Sequence, residues 1–89
     1  MNKEILITIQ DECTLMGAPA VIKKNGGYLV NITQRIAENY DSPNFDRVVF
    51  QTDLELADEN CAAIIEAAEL LKETLEKLRK EVIGNDEEV

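Results

Sequence analysis

From Glu4 to Gln10, Ile5, Ile7 and Ile9 alternate with Glu4, Leu6, Thr8 and Gln10, and this period of two predicts a half-buried strand over 4–10. Asp11 to Gly17 breaks the alternation and Pro19 restarts it, which makes 18–24 a second strand. Asn25, Gly26 and Gly27 follow, residues that accept positive φ cheaply, and they read as a hairpin turn. Tyr28, Val30, Ile32 and Ile36 then alternate with Leu29, Asn31, Thr33 and Arg35, giving a third strand over 28–36, with Thr33 to Tyr40 also open to a helical reading. After a loop carrying Asn39, Asp41, Ser42, Pro43 and Asn44, a fourth strand spans 47–56, with Val48, Phe50, Leu54 and Leu56 on one face and Arg47, Gln51, Asp53 and Glu55 on the other.

The last third follows a different period. Cys61, Ile64, Ala68, Leu71, Leu75, Leu78 and Val82 recur at spacings of three and four, the seam of a helix that meets another helix along one narrow edge. Asp58 is placed to cap this helix, which is expected over 59–83, with Gly84 and Asn85 as its stop and 85–89 as an acidic disordered tail. The expected fold is therefore α+β: one domain over 1–84, an antiparallel β-meander of about four strands packed against one long C-terminal amphipathic helix.

The helix divides into two parts. Between Cys61 and Leu71 nearly every position except Glu66 and Glu69 is apolar, which suits packing on the chain's own sheet, whereas beyond Lys72 only the stripe is apolar. About 25 helical residues span close to 38 Å, longer than a four-stranded sheet is wide, about 19 Å. Leu71, Leu75, Leu78 and Val82 are thus the expected oligomer interface. On the sheet, Leu6, Val21, Leu29 and Val49 would face outward and form a second apolar patch in need of cover.

Composition narrows the chemistry more than it identifies any. The chain has 89 residues and no histidine, which removes the imidazole general base, Ser-His and Cys-His nucleophile pairs, and the usual nitrogen ligand of zinc. Its two cysteines, Cys13 and Cys61, make no zinc spacing and no disulfide framework, although a bridge between them is open to a suitable fold. No leader and no membrane span is legible, so a cytoplasmic location with free thiols is expected, and Asn31-Ile32-Thr33 carries no weight as a glycosylation site. Catalytic, metal and cofactor sites are expected to be absent. Asp53, Glu55, Asp58 and Glu59 cluster without the alternate-position pattern of a calcium loop, and Asp11, Glu12 and Cys13 sit together without a specified partner.

Charge is lopsided, nine basic against 18 acidic residues, for a net charge of −9. Such a surface disfavours nucleic acid and anionic lipid as direct partners. The one basic spot is Lys23 and Lys24 beside the glycine turn, with Arg35 on the next strand, a candidate anion-binding site. These features point to a non-catalytic homo-oligomeric interaction protein, of the kind a phage or bacterial regulator or inhibitor of a partner protein represents, with nucleic-acid mimicry by the acidic surface as one route. The alternative is a protein that holds a small anionic metabolite or nucleotide at a subunit interface near Lys23, Lys24 and Arg35. A third reading, an enzyme using Asp11, Glu12 or Cys13, has the least behind it.

Overall fold

The computed structural model describes residues 7–87. They form two long helices, α1 (Ile9–Asp41, 33 residues) and α2 (Arg47–Glu87, 41 residues), folded back on each other as an antiparallel hairpin. Among the described residues there is no strand. The α+β expectation is therefore overturned: 18–24, 28–36 and 47–56 are helical, and of the strand expected over 4–10 the described part enters α1 at Ile9, while residues 4–6 lie outside the described range. Asn25, Gly26 and Gly27 are interior helical residues, not a turn, and no described residue has positive φ. Asp58 lies well inside α2 and caps nothing, and α2 runs through Gly84 and Asn85 to Glu87, with residues 88 and 89 of the expected tail outside the described range.

The reason is a seven-residue repeat that spans both helices. On α1, Leu15, Ile22, Leu29 and Ile36 stand seven apart, interleaved with Asp11, Ala18, Asn25, Ile32 and Asn39. On α2, Phe50, Ala57, Ile64, Leu71 and Leu78 stand seven apart, interleaved with Asp53, Asn60, Ala67, Thr74 and Glu81. Every one of these residues is buried or half-buried, as a coiled-coil seam requires. One row on each helix is apolar throughout, while the other mixes Asp, Asn, Thr and Glu with Ala and Ile. Side-chain burial along a seam this long outweighs the local cost of Gly26 and Gly27, about 1 kcal/mol each, and of Pro19 inside α1, about 3 kcal/mol.

Local chemistry fixes where the helices begin and where the chain reverses. The Thr8 hydroxyl accepts the Asp11 amide at 3.0 Å and caps α1, whose first turn carries Asp11 and Glu12 toward the positive end of the helix dipole. At the reversal, the Asn39 side chain donates to the Asp46 carbonyl at 2.8 Å and accepts the Asp46 amide at 2.9 Å. The Asp46 carboxylate accepts the amides of Val48 and Val49 at 3.0 and 3.1 Å, so Asp46 is the cap that starts α2. Phe45 meets Phe50 edge-on with ring centres 5.2 Å apart, and Tyr40 lies 6.4 Å from Phe50, closing the turn end with aromatic surface.

The molecule is thin. It measures 68 × 21 × 17 Å with a radius of gyration of 20.0 Å, where a compact chain of this length would have about 12 Å. No side chain among the described residues is fully buried, and the core reduces to Ala18, Ile32 and Ala67. Accessible area is 7104 Å², against roughly 5,200 Å² for a compact protein of 10.0 kDa.

Candidate interaction surface

Two ion pairs set the register of the hairpin. Arg35 donates to Asp53 at 2.7 Å, and Lys77 donates to Asp11 at 2.9 Å. Asp11 and Arg35 lie 24 residues apart on α1, and Asp53 and Lys77 lie 24 apart on α2, so the helices stay in step over about 36 Å. Each helix contributes one seam aspartate and, 24 residues on, one base beside the seam that clasps the aspartate of the other helix. The aspartates are nearly covered, with Asp53 3% and Asp11 8% exposed, while the bases reach out to solvent. The Lys77 hydrogen bond above all, with Thr8 adding to it, holds the Asp11 carboxyl below its usual value against the opposing effect of burial. Asp11 in turn raises Lys77, and Asp53 raises Arg35.

Between the two ion pairs, on the same side of the hairpin, the surface is concave and carries apolar side chains along both rows beside the seam. Thr14, Val21, Tyr28 and Arg35 form one row beside the seam on α1, and Leu56, Ala63, Leu70 and Lys77 form the facing row on α2, each at seven-residue spacing. A groove of about 410 Å³ runs between Gly17, Ala18 and Val21 on one side and Ala63, Ala67 and Leu70 on the other. A second groove of about 340 Å³, lined by Tyr28, Ile32, Arg35 and Leu56 among others, continues it toward the turn. The patch is thus mainly apolar around the first groove and more polar around the second, where Asn31 and Asn60 join the lining, and an ion pair closes each end. The opposite flank is apolar too, with Met16, Val30, Leu54, Ile65 and Leu75 exposed.

The residues expected to form an oligomer interface divide between these environments. Leu71 and Leu78 lie in the seam and are half-buried against α1, Val82 is half-buried, and Leu75 is 50% exposed on the flank opposite the groove. The stripe Cys61, Ala68, Leu75, Val82 runs beside the seam, and Ile64, Leu71, Leu78 runs within it; the spacing merged two neighbouring rows into one.

The candidate anion site is not drawn together. Arg35 bonds Asp53, and Lys24, whose ammonium stands 6.0 Å from the Tyr28 ring centre, lies 11 residues away along α1, about 16 Å. Cys13 and Cys61 are both free and exposed. In this register Cys61 is level with Gly27, which places Cys13 about 20 Å away along the axis and rules out a bridge within the chain. Asp53 is buried in an ion pair rather than clustered with Glu55, Asp58 and Glu59, which are exposed. Glu12 and Cys13 are exposed on the first turns of α1, while their neighbour Asp11 is committed to Lys77.

Among the described residues no three His, Cys, Asp or Glu side chains are grouped to hold a metal ion, and no helix is long and apolar enough to cross a membrane. Comparison of the chain with protein-family models, curated proteins and solved structures finds no match. The two ion pairs and the groove were missed by sequence reasoning. Their signal was the equal 24-residue separation of an aspartate and a base in each half, together with Leu56, Ala63 and Leu70 at seven-residue spacing.

Proposed function

We propose that this protein is a non-catalytic interaction module that works as an assembly of its own copies, its helical hairpins stacked into a bundle that presents an acidic outer surface to a partner protein. The observation that carries the reading is the surplus of surface. The chain exposes about 1,900 Å² more than a compact chain of its mass, and large apolar side chains stand exposed along both flanks of the seam, Val21, Tyr28 and Leu70 on one and Met16, Val30, Leu54 and Leu75 on the other. Hiding 1,000 Å² or more per copy is what separates an obligate assembly from a passing encounter. A two-helix hairpin has one layer of side chains between its helices, and adding a second pair of helices gives the enclosed core that four-helix bundles use.

Light scattering coupled to size exclusion, with the chain at tens of micromolar, tests the reading. A mass that is a multiple of 10.0 kDa supports it, and a monomer overturns it. The acidic balance, −9 on 89 residues, favours a basic or neutral protein surface as the partner over nucleic acid.

A further inference from the structure

We infer that the groove between the two ion pairs is covered by a second copy of this chain, the two hairpins packed groove to groove with their connecting turns at the same end, so that α1 of each lies against α2 of the other. The inference rests on the self-association proposed above and adds which face pairs and in which orientation.

Area and shape favour a second copy on this face. An obligate homodimer buries about 2,000 to 5,000 Å² in total, and a surplus of about 1,900 Å² per chain leaves room for one face to supply its share of that. The groove is lined by small residues, Ala18, Ala63 and Ala67, and its α1 edge is open at Gly17, where an added Cβ would meet nothing within 4 Å. Its banks are the larger Val21, Tyr28 and Leu70. With the turns at the same end, Leu70 of one copy is level with Ala18 of the other and Val21 with Ala67, so that large side chains of each bank meet small ones on the facing helix.

Charge selects the orientation. The outer edge of the groove on α2 is a row of glutamates, Glu59, Glu66 and Glu73, of which Glu66 lines the groove itself. Between the ion pairs the outer edge on α1 is Gly17, Lys24 and Asn31, with no acid among them; the next acid of that row, Glu38, lies beyond Arg35. With the turns at opposite ends, α2 would lie along α2 of the partner and the two glutamate rows would meet, in a chain that already carries −9. With the turns at the same end, each glutamate row meets the neutral and basic edge of the partner's α1. Lys24 is level with Ile64 in the common register, less than one turn from Glu66. Like charges face to face cost affinity, and opposite charges fix register.

Two measurements on the full chain test this. In the first, Cys13→Ser, Cys61→Ser and Asn44→Cys leave one thiol in the turn for a nitroxide label, and the spin-spin distance is read by pulsed electron resonance. Same-end packing places the two labels within about 30 Å, given helix spacings of about 8–10 Å. Opposite-end packing of bodies 68 Å long places them far beyond that. In the second, Leu70→Lys and Leu75→Lys are compared by light scattering. The two leucines are 49% and 50% exposed on opposite flanks of the same helix, so the folding cost is matched. Leu70→Lys is expected to weaken association about tenfold or more and Leu75→Lys to leave it near the parent. A long label distance in an associated chain overturns the orientation, and dissociation by Leu75→Lys with Leu70→Lys unaffected overturns the choice of face; in both cases self-association stands. A monomeric parent chain overturns self-association itself, and the label distance decides the arrangement even should Leu70→Lys lose helicity.

Discussion

Asp11 on α1 accepts the ammonium of Lys77 on α2 at 2.9 Å across 66 positions of sequence, tying the first turn of one helix to the far part of the other. Because Asp11 is held below its ordinary 3.8, its contribution is present above that value and is lost as pH falls through the lower folded value. Lys77 is held above its ordinary 10.5, so its contribution is present below that value and is lost as pH rises through the higher folded one. The expected outcome is a gap in melting temperature between the parent and Asp11→Asn that is flat between about pH 5 and about pH 9 and closes in acid below about 3.8. Melting followed by circular dichroism at one fixed protein concentration checks it, since association moves the midpoint as well. A gap of the same size at pH 2 as at pH 7 means that ionisation of the pair adds nothing.

Arg35 and Asp53 form the matching pair near the turn, and their exposure is unequal: the Asp53 side chain is 4% exposed and that of Arg35 56%. Truncating the exposed partner therefore does more harm than replacing the buried one. Arg35→Ala strands a covered carboxylate in the seam, whereas Asp53→Leu removes the charge and puts an apolar side chain where a heptad seam accepts it. Arg35→Ala is expected to lower the melting temperature by on the order of 5 to 10 °C, and Asp53→Leu to leave it unchanged or raise it. Equal losses from both would mean that the ion pair, not burial of an unpaired charge, is what counts.

Legibility of this fold in the sequence was uneven, for a reason visible in the seam. The C-terminal stripe was readable as helix because Ile64, Leu71 and Leu78 stand among other apolar residues, and that part of α2 was found. α1 reads as strands because a third of its seam is polar: Asp11, Asn25 and Asn39 occupy inward positions, so its apolar residues alone do not trace a helical period. Tyr28, Val30 and Ile32 then looked like period two, although Ile32 faces inward and the other two lie on the flanks. Gly26, Gly27 and Pro19 strengthened the error, since their local preferences oppose helix and only the cumulative seam overrides them. Of the four residues that the sheet reading turns outward, Val21 and Val49 are exposed, Leu29 lies in the seam and Leu6 is outside the described residues. The location of the exposed apolar rows depends on long-range register, which the Asp11–Lys77 and Arg35–Asp53 pairs set and local periodicity cannot.

The reversal of the chain depends on Asn39, whose amide replaces a backbone partner for both the N–H and the C=O of Asp46. Asp46 then caps α2 through Val48 and Val49. Asp46→Ala removes the cap and is expected to cost about 1 kcal/mol. Asn39→Ala removes two hydrogen bonds from a half-buried position and is expected to cost about 1–3 kcal/mol. Urea unfolding at constant protein concentration reads both as a lower midpoint with an unchanged slope, because the surface exposed on unfolding stays the same. A larger loss from Asp46→Ala than from Asn39→Ala would place the cap, not the clasp, in control of the turn.

Gly26 and Gly27, which local sequence would place in a turn, are interior residues of α1, and substitution reads that difference directly. In a hairpin turn at positive φ, alanine is strained at either position and destabilises. In α1 both residues are helical, neither has positive φ, and a methyl group built on either meets nothing within 4 Å. Alanine there only restricts the unfolded chain and improves helix propensity, so Gly26→Ala and Gly27→Ala are each expected to stabilise by about 0.5–1 kcal/mol. A two-helix chain of this length should show that as a rise of several degrees in melting temperature for each change, close to additive in the double variant if the residues act through the backbone alone. A fall at both positions would return the glycines to a turn and remove the middle of α1. A fall at Gly26 alone would mean something packs on its side of the helix beyond what one hairpin provides, because Gly26 is half-buried and Gly27 is exposed.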